Sequence, residues 1–441
     1  MGYGGETIRN QTVAERLVSE ARTAQAAYAK LGMEKRQAVI EALRAGLRPL
    51  LETFSKEELQ ETGMGRTEDK RRKLLAAVEK TPGTEDLRSE VCMGNEEMTL
   101  HEYAAYGVVC AVQPATNPCA TVISNTISML AAGNAVIHIP NPRAVSCSVH
   151  AVREIEAIVQ RAIGIEHLVS VLPESSMQLA DELMYHPDVD LVTITGGKMI
   201  DRGLQAPKRV IGAGPANPVA IVDETADLAQ AAVDLADSIS FDNNILCTGE
   251  KNIVVMDAVT DRLWELLEQN GARCIRKTEE MLQLTKVVVT ADLSMNRALE
   301  GRDADEILQA AGLQDGKSYR FIVVDTVKTH PLATLELLMP VVPLIRVDTF
   351  EKALETAVFL EQGLHHTAVI HSQNIKRLRQ AAQTLQTAVF VKNGSAMMGA
   401  GLAGEGRASF TIANITGEGV TTAKTFARRR SCTMAGGFLL R

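Results

Sequence analysis

Residues 108–139 read VVCAVQPATNPCATVISNTISMLAAGNAVIHI, and the pattern of this segment indicates the fold class. It begins and ends with short apolar runs, Val108–Val112 and Ala135–Ile139, that are typical of buried strands. The residues between them, near Cys119 to Ala132, have the length and composition of a helix. A strand, a helix and a second strand in succession predict one βαβ unit of a parallel sheet.

The alternation continues beyond this unit. We predict helices at 144–160 and 176–185 and strands at 168–172 and 191–194. In such a sheet, ligands bind at the carboxyl ends of the strands, where the loops 113–118, 140–143 and 195–198 fall. Gly196 and Gly197 would let the backbone approach a phosphate, although a Gly-Gly pair is more often only a turn.

A second alternating set follows a linking helix at 226–240. The pattern predicts strands at 252–256, 320–324, 368–371 and 388–391, helices at 261–270, 350–360 and 374–385, and a segment at 335–347 of unassigned type. Residues 12–81 are helical in pattern, whereas 97–103 and 410–425 are predicted to be strands of an oligomerisation sheet. The fold class is therefore α/β, with two Rossmann-type parallel-sheet domains and a small β-extension.

Composition limits the function classes. The chain has 441 residues, of which 46% are hydrophobic and 4% aromatic, and this predicts a soluble α/β protein with two large domains. A net charge of -8 argues against a nucleic-acid binder, and the basic runs 70–73 and 428–430 are predicted to be solvated helix faces or tails. No apolar run is long enough to cross a membrane. Seven cysteines without a repeated CxxC spacing predict no metal site, no disulfide framework and a cytoplasmic location.

Cys247 is the candidate nucleophile, because it lies near the predicted junction of the two α/β domains, where active sites are common. A thiolate attacks an aldehyde carbonyl readily, and the thiohemiacetal can lose a hydride to become a thioester. The alternative is that Cys247 is one more small buried apolar residue. Three other features of the sequence favour the interpretation of Cys247 as the nucleophile: Asn117, the Gly/Pro-rich turn at 212–218, and Glu336.

Four motifs in this order resemble the aldehyde dehydrogenase superfamily, and within it the CoA-acylating branch similar to the propionaldehyde and acetaldehyde dehydrogenases of bacterial microcompartments. The motifs are 113–118 (QPATNP), 212–218 (GAGPANP), 242–247 (DNNILC) and 366–372 (HTAVIHS). The resemblance covers nearly the whole chain. It implies a nucleotide-binding domain at 1–96 and 107–240, a catalytic domain at 241–408, and oligomerisation segments at 97–106 and 409–441.

The resemblance also implies the site residues. Cys247 matches the nucleophile, and Asn117 matches the side-chain donor of an oxyanion hole whose second donor is the main-chain N–H of Cys247. Glu336 matches the glutamate that holds the nicotinamide ribose, with an exposed helix-end carboxylate as the alternative. The implied site for NAD and CoA comprises Thr116, Pro140, Asn141, Pro142, Thr195, Gly196, Gly197, Gly212, Ala213, Gly214, Glu336 and His366.

One departure from the hydrolytic branch affects the expected product. Gly212 stands where enzymes that release free acids carry the glutamate that activates water. A positioned base contributes on the order of 10²–10⁴-fold, so water should attack the thioester slowly and the thiolate of CoA should take its place. The superfamily's adenosine-contacting lysine is also replaced, by Ile139, and this leaves the choice between NAD and NADP open.

The sequence therefore predicts an NAD-dependent, CoA-acylating oxidation of propionaldehyde or acetaldehyde by a ping-pong thioester mechanism. The alternatives are a hydrolytic enzyme with Glu250 as base, a reductase of acyl phosphates, and a non-catalytic scaffold of the same fold. Against a role for Glu250 as base, the sequence predicts that Glu250 and Lys251 form a polar turn before the next strand, and a structural role for His366 is at least as readily expected as a catalytic one.

The resemblance further implies a homodimer or homotetramer and a place inside a bacterial microcompartment, with shell or cargo partners, as an alternative to the general cytoplasm. Family members often carry an amphipathic docking tail. Neither the Gly-rich residues 1–6 nor residues 436–441 predict one.

Overall fold

A computed structural model describes residues 12–197, 199–404 and 406–436. Lys198, which belongs to the predicted phosphate loop, lies outside the described residues. So do both terminal segments that were considered as docking tails, apart from Gly436. Within the described ranges, no helix is long and apolar enough to span a membrane.

Four helices open the chain and pack on the first parallel sheet, with which they share one continuous apolar core. Thr12 caps the first of them, because its side chain accepts from the N–H of Glu15 while the Glu15 carboxylate accepts from the N–H of Thr12. The four are α1 (Val13–Tyr28), α2 (Met33–Leu47), α3 (Leu51–Thr62) and α4 (Thr67–Lys80).

A three-stranded antiparallel sheet extends from this domain, in the order β1-β2-β17. Its strands are β1 (Glu90–Met93), β2 (Glu97–Ala105) and β17 (Ala427–Ala435). The strand predicted at 97–103 is confirmed, but the one at 410–425 is wrong in place. That segment holds only the two-residue pair β15 (Ile412–Ala413) and β16 (Gly419–Val420), because its glycines and hydroxyl residues favour turns, and the long strand comes after it.

The first parallel sheet has five strands in the order β5-β4-β3-β6-β7. Successive strands are first added on one side of β3, which begins at residue 108, and then on its other side, so the strand order reverses beside β3. The predicted βαβ alternation is confirmed to within three residues at each boundary. The prediction missed β7, which had been taken as part of a turn. The elements are β3 (Val108–Val112), α5 (Pro118–Ala131), β4 (Ala135–Ile139), α6 (Val145–Ile163), β5 (Val169–Val171), α7 (Met177–Tyr185), β6 (Leu191–Thr195), α8 (Met199–Gly203) and β7 (Arg209–Ala213).

The second parallel sheet has seven strands in the order β10-β11-β12-β9-β8-β13-β14, with helices covering both faces. The elements are β8 (Val219–Val222), α9 (Leu228–Ser240), β9 (Asn252–Met256), α10 (Asp257–Gln269), β10 (Ala272–Ile275), α11 (Thr278–Val288), α12 (Ala304–Ala310), β11 (Phe321–Asp325), α13 (Pro331–Thr334), β12 (Val341–Val347), α14 (Phe350–Glu361), β13 (Thr367–His371), α15 (Ile375–Leu385), β14 (Val389–Lys392) and α16 (Ala396–Gly399).

The change from one sheet to the other falls between Ala213 and Val219. The expected domain division at residue 240 therefore assigns β8 and α9 to the first domain, whereas β8 pairs with strands of the second sheet and α9 packs in the core of that sheet. The functional meaning of the division stays a prediction.

Candidate active site

Cys247 lies in the turn that joins a short 3-10 helix, Phe241–Asn244, to β9. The side chain is half-buried. Burial raises the pKa of the Cys247 thiol to about 12, and the nearby Glu336 carboxylate adds to this rise, while the ammonium groups of Lys251 and Lys73 oppose it. A proton must therefore leave the sulfur before it can attack a carbonyl.

Three consecutive residues before the nucleophile have left-handed backbones, a conformation that costs an L-residue about 1–2 kcal/mol. Asp242, Asn243 and Asn244 have φ values of 47°, 53° and 59°. These residue types tolerate the conformation best because their short side chains can hydrogen-bond locally. Here the contacts are longer in range: Asn243 Nδ2 donates to the Gly301 carbonyl at 2.9 Å, and the Asp242 carboxylate accepts the Arg66 N–H at 2.6 Å.

Asn117 is the buried residue at the amino end of α5, where Pro118 provides the first helical position. Its Oδ1 accepts a hydrogen bond from Lys73 Nζ at 2.6 Å, and its Nδ2 donates to Thr116 Oγ1 at 3.2 Å. Because an ammonium only donates, the atom that faces Lys73 must be the amide oxygen. The amide nitrogen therefore faces away from Lys73 and can serve as a donor.

Lys73 connects Asn117 to the turn of the nucleophile. Besides Asn117, its ammonium contacts the Asp242 carboxylate and the Thr116 carbonyl, and its charge reaches the Cys247 sulfur. Lys73 thus links the Asn117 side chain to the turn that contains Cys247, and the roles assigned to these two residues stay predictions.

The prediction that residues 70–73 form a solvated basic face is wrong for two of the four. Lys70 and Lys73 are 0% exposed, whereas Arg71 and Arg72 point outward and pair with acidic residues one turn earlier on α4. A signal was present in the helical spacing: positions 70, 73, 74 and 77 share one face of α4, and the last two are the apolar Leu74 and Ala77. Arg428, Arg429 and Arg430 are exposed, as expected, but they lie on the strand β17 and not on a helix face or a tail.

Glu250 and Lys251 directly precede β9, after a turn at 245–249, and they are not the exposed polar residues that were expected, because both are 0% exposed. Lys251 Nζ donates to the Asn244 side-chain oxygen at 2.8 Å and to the Leu246 carbonyl at 3.2 Å, so it fixes the backbone on the amino side of Cys247. Oε1 of the Glu250 carboxylate accepts the Ala396 N–H at 3.1 Å, and burial raises the pKa of Glu250 to about 7.

Glu336 lies between α13 and β12 and is half-buried. Its carboxylate accepts the Ala216 N–H, interacts with Lys251, and raises the pKa of Cys247 through its charge. Burial raises the pKa of Glu336 itself, and Lys251 partly opposes that rise. The exposed helix-end alternative does not describe this environment.

His366 is buried at the start of β13. Its Nδ1 lies 2.9 Å from Thr367 Oγ1, and its main-chain N–H donates to Glu361. Burial lowers its pKa to about 3, and the Lys251 charge acts in the same direction. The ring is therefore neutral at physiological pH and can hold or accept a proton only weakly.

The remaining implied residues lie at or directly after the carboxyl ends of neighbouring strands of the five-stranded sheet, so they share one side of that sheet. Gly196 and Gly197 are left-handed, with φ of 75° and 78°, and a Cβ added at Gly197 would meet no atom within 4 Å. The backbone is therefore open to a ligand there. Thr195 instead turns inward, and its Oγ1 lies 2.7 Å from Thr411 Oγ1. The residues on this side are Thr116 after β3, Pro140, Asn141 and Pro142 after β4, Thr195, Gly196 and Gly197 at β6, and Gly212, Ala213 and Gly214 at β7.

Gly212 belongs to β7 and is held by its backbone: its N–H donates to Thr416 Oγ1 at 2.9 Å and its carbonyl accepts the Ile415 N–H at 3.2 Å. Its neighbour Gly214 donates to Asn414 Oδ1 at 2.8 Å. The segment after β15 therefore contacts Gly212, the position at which hydrolytic relatives are expected to carry a catalytic glutamate.

Comparison with known proteins gives concordant matches. The model of the aldehyde dehydrogenase family matches residues 7–410. The chain is 43% identical to the CoA-propanoylating propanal dehydrogenase of Citrobacter freundii, over 94% of this chain and 90% of that protein.

Two solved structures are similar throughout. The propionaldehyde dehydrogenase of Rhodopseudomonas palustris, solved with bound CoA and an acylated cysteine, superposes with a TM-score of 0.93 at 38% identity and covers 96% of this chain and 97% of that one. The propionaldehyde dehydrogenase of a Clostridium phytofermentans fucose-utilisation microcompartment gives a TM-score of 0.94 at 37% identity, with coverages of 97% and 98%.

Proposed function

The chain belongs to the aldehyde dehydrogenase family, and we propose that it is a CoA-acylating member that converts a short aldehyde into acyl-CoA. The reaction is aldehyde plus NAD⁺ plus CoA giving acyl-CoA, NADH and a proton. One observation carries the proposal: the Lys73 ammonium bonds the buried Asn117 amide and its charge reaches the half-buried Cys247 thiol, while the sequence has Gly212 where hydrolytic relatives carry a glutamate.

The first half-reaction uses the Cys247 sulfur and the Asn117 amide. The thiolate adds to the aldehyde carbon, and the carbonyl oxygen becomes an oxyanion that Asn117 Nδ2 and the main-chain N–H of Cys247 hold in place. When bound, a nicotinamide cofactor accepts the hydride that this carbon loses. Hydride loss leaves a thioester on Cys247.

The second half-reaction transfers the acyl group to the CoA thiolate through the same oxyanion hole, and this exchange regenerates the Cys247 thiolate. Glu250 is poorly placed to activate water, because its side chain is fully buried and its Oε1 accepts the Ala396 N–H. We assign Glu336 to the nicotinamide ribose, as its contact with the Ala216 N–H places it beside the turn that follows β7.

The residues at the carboxyl ends of the strands of the five-stranded sheet fit a nicotinamide nucleotide and CoA, since the left-handed glycines leave backbone open to a pyrophosphate. The choice of NAD over NADP is our proposal. Arg143, a cation in the loop after β4, is bound to Glu300 and contacts Met64 Sδ at 3.2 Å, so its charge is already neutralised and is not free to hold a 2′-phosphate.

We further propose propionaldehyde as the preferred aldehyde, with acetaldehyde as a second substrate, and a homodimer or homotetramer that acts in the cytoplasm or inside a microcompartment. The similarity to a CoA-propanoylating enzyme and to a microcompartment enzyme supports these proposals.

Product analysis tests the function. With propanal, NAD⁺ and CoA, we expect stoichiometric propionyl-CoA and NADH, and without CoA only one NADH per active site. Cys247→Ser should abolish both. Propionate formed at full rate without CoA would contradict the acylating reaction and would favour hydrolysis with Glu336 or Glu250 as base.

A further inference from the structure

The buried cluster around α4 contains four charges, none of which belongs to the residues assigned to the reaction. Lys70, Lys73, Glu58 and Asp242 are each 0% exposed, and two ammonium groups face two carboxylates. Removing charges from water is expensive, and such a cluster stabilises a fold less than an apolar core of the same volume often would. The arrangement therefore invites an explanation beyond stability.

The two lysines differ in one contact. Both touch the Asp242 carboxylate, with Lys70 Nζ at 3.5 Å. Lys70 completes its contacts on Glu58, at 4.0 Å, whereas Lys73 donates to Asn117 Oδ1 at 2.6 Å and to the Thr116 carbonyl at 3.2 Å. Burial lowers the pKa of Lys73 and Asp242 opposes this, while Asp242 and Glu58 together hold the pKa of Lys70 above its ordinary value.

We propose that Lys73 is a positioning residue for the oxyanion hole: its ammonium fixes the Asn117 side chain with Oδ1 inward, so that Nδ2 is presented to the oxygen of the substrate. This inference rests on the proposed function. Without Lys73, either end of the amide could face the substrate, and an amide oxygen there would repel the oxyanion instead of binding it.

A second effect acts in the same direction. A cation on the amide oxygen draws electron density from the amide, which makes its N–H groups better donors in a site of low dielectric constant. Asp242, which also contacts Lys73, is part of the left-handed turn before Cys247, so the same ammonium holds donor and nucleophile in register.

A double-mutant cycle on the NADH burst without CoA tests the proposal, because that burst reports acylation alone. We expect Asn117→Ala to slow the burst about 10²–10³-fold. Lys73→Met should slow it about 10- to 100-fold, as a charged hydrogen bond contributes about 1.5–3 kcal/mol. In the Asn117→Ala background, Lys73→Met should cost no more than about twofold, since the residue has lost its target.

Lys70→Met is the matched control. It removes an equally buried cation from the same carboxylate, but one that does not touch Asn117, so it should slow the burst by the same factor in both backgrounds. If Lys73→Met also slows the burst equally in both backgrounds, the proposal is overturned.

Loss of folding is tested separately. Lys73→Met leaves the cluster with one unbalanced negative charge, whereas Lys73→Met combined with Asp242→Asn restores neutrality. We expect the combined variant to regain thermal stability while its burst stays as slow as that of Lys73→Met. Recovery of the burst together with stability would overturn the proposal. A wild-type enzyme that makes no NADH from propanal would instead contradict the proposed function, and this inference with it.

Discussion

The sulfur of Cys247 lies among charges of opposite sign: Glu336 raises its pKa, and Lys251 and Lys73 lower it. Burial adds to the rise, so the thiol is mostly protonated at neutral pH. The reactivity of the nucleophile therefore depends on side chains that never bond to the substrate carbon, and changing the charge of one of them should move the titration of the thiol.

We expect Glu336→Gln to lower the pKa of the Cys247 thiol by about one unit, because a negative charge beside a thiol disfavours the thiolate. The rate of iodoacetamide alkylation against pH, followed by mass spectrometry on the peptide that contains Cys247, measures this. The control is Glu250→Gln, which removes a buried carboxylate that is not among the main causes of the shift at Cys247. An unchanged midpoint in Glu336→Gln, or equal shifts in both variants, would contradict the expectation.

The roles of Cys247 and Asn117 stay predictions, although both residues lie around Lys73, which bonds Asn117 and whose charge reaches Cys247. Both were identified from their motifs. Lys70 and Lys73 were not, because most charge runs face water and the physical reason for burying these two is a carboxylate 169 or more positions away in the sequence. Lys251 was missed for a related reason: its three acceptor atoms come within hydrogen-bond distance only once the left-handed turn has formed.

At the scale of elements, the loop between α3 and α4 supports the turn of the nucleophile. Gly65 has a φ of 76°, and a Cβ there would lie 1.9 Å from Asp242 Oδ1. The next residue, Arg66, donates its N–H to the same oxygen. The loop and the turn therefore approach each other so closely that only glycine fits.

Gly65→Ala should accordingly destabilise the protein by about 3 kcal/mol, as strain and overpacking combine, and it should slow acylation by displacing Asp242. Gly63→Ala is the control: its φ is 65°, but the nearest atom is 3.4 Å away on the side chain of Arg302, so only the strain of about 1 kcal/mol applies. Urea denaturation and the NADH burst measure the two effects. Equal losses in the two variants would show that the contact with Asp242 is unimportant.

The elements that the sequence predicted well are those with a clear apolar period, such as β9 and α14. It missed β7, since Gly212 and Ala213 suggested a turn and the strand is defined by pairing with β6. It misplaced the last strand because β17 carries Arg428, Arg429 and Arg430, which look unlike a strand until the nine-residue pairing with β2 is known. Pairing partners distant in sequence decide both cases.

For the whole molecule, the three-stranded sheet is the surface that we propose for a contact between subunits. Val91 and Met93 on β1 are 56% and 59% exposed, and they alternate onto the same face. Exposed apolar side chains on an edge strand favour association.

We therefore expect Val91→Asp combined with Met93→Asp to convert the homodimer or homotetramer into a smaller species in multi-angle light scattering. Met177→Asp, at a residue of α7 that is 54% exposed, provides the control and should leave the mass unchanged. A double variant with the mass of the wild-type protein would place the subunit contact elsewhere.

The passage of the chain from one sheet to the other, between β7 and β8, is a place where the protein could be divided into two fragments. Lys73 and Asn117 come before it in the chain, and Cys247 and Lys251 come after it. A cut at the exposed Pro215 would put the amide donor on one fragment and the thiol on the other. Neither piece could turn over substrate by itself, so fusing each to a different bait would make NADH fluorescence a readout of whether the two baits meet.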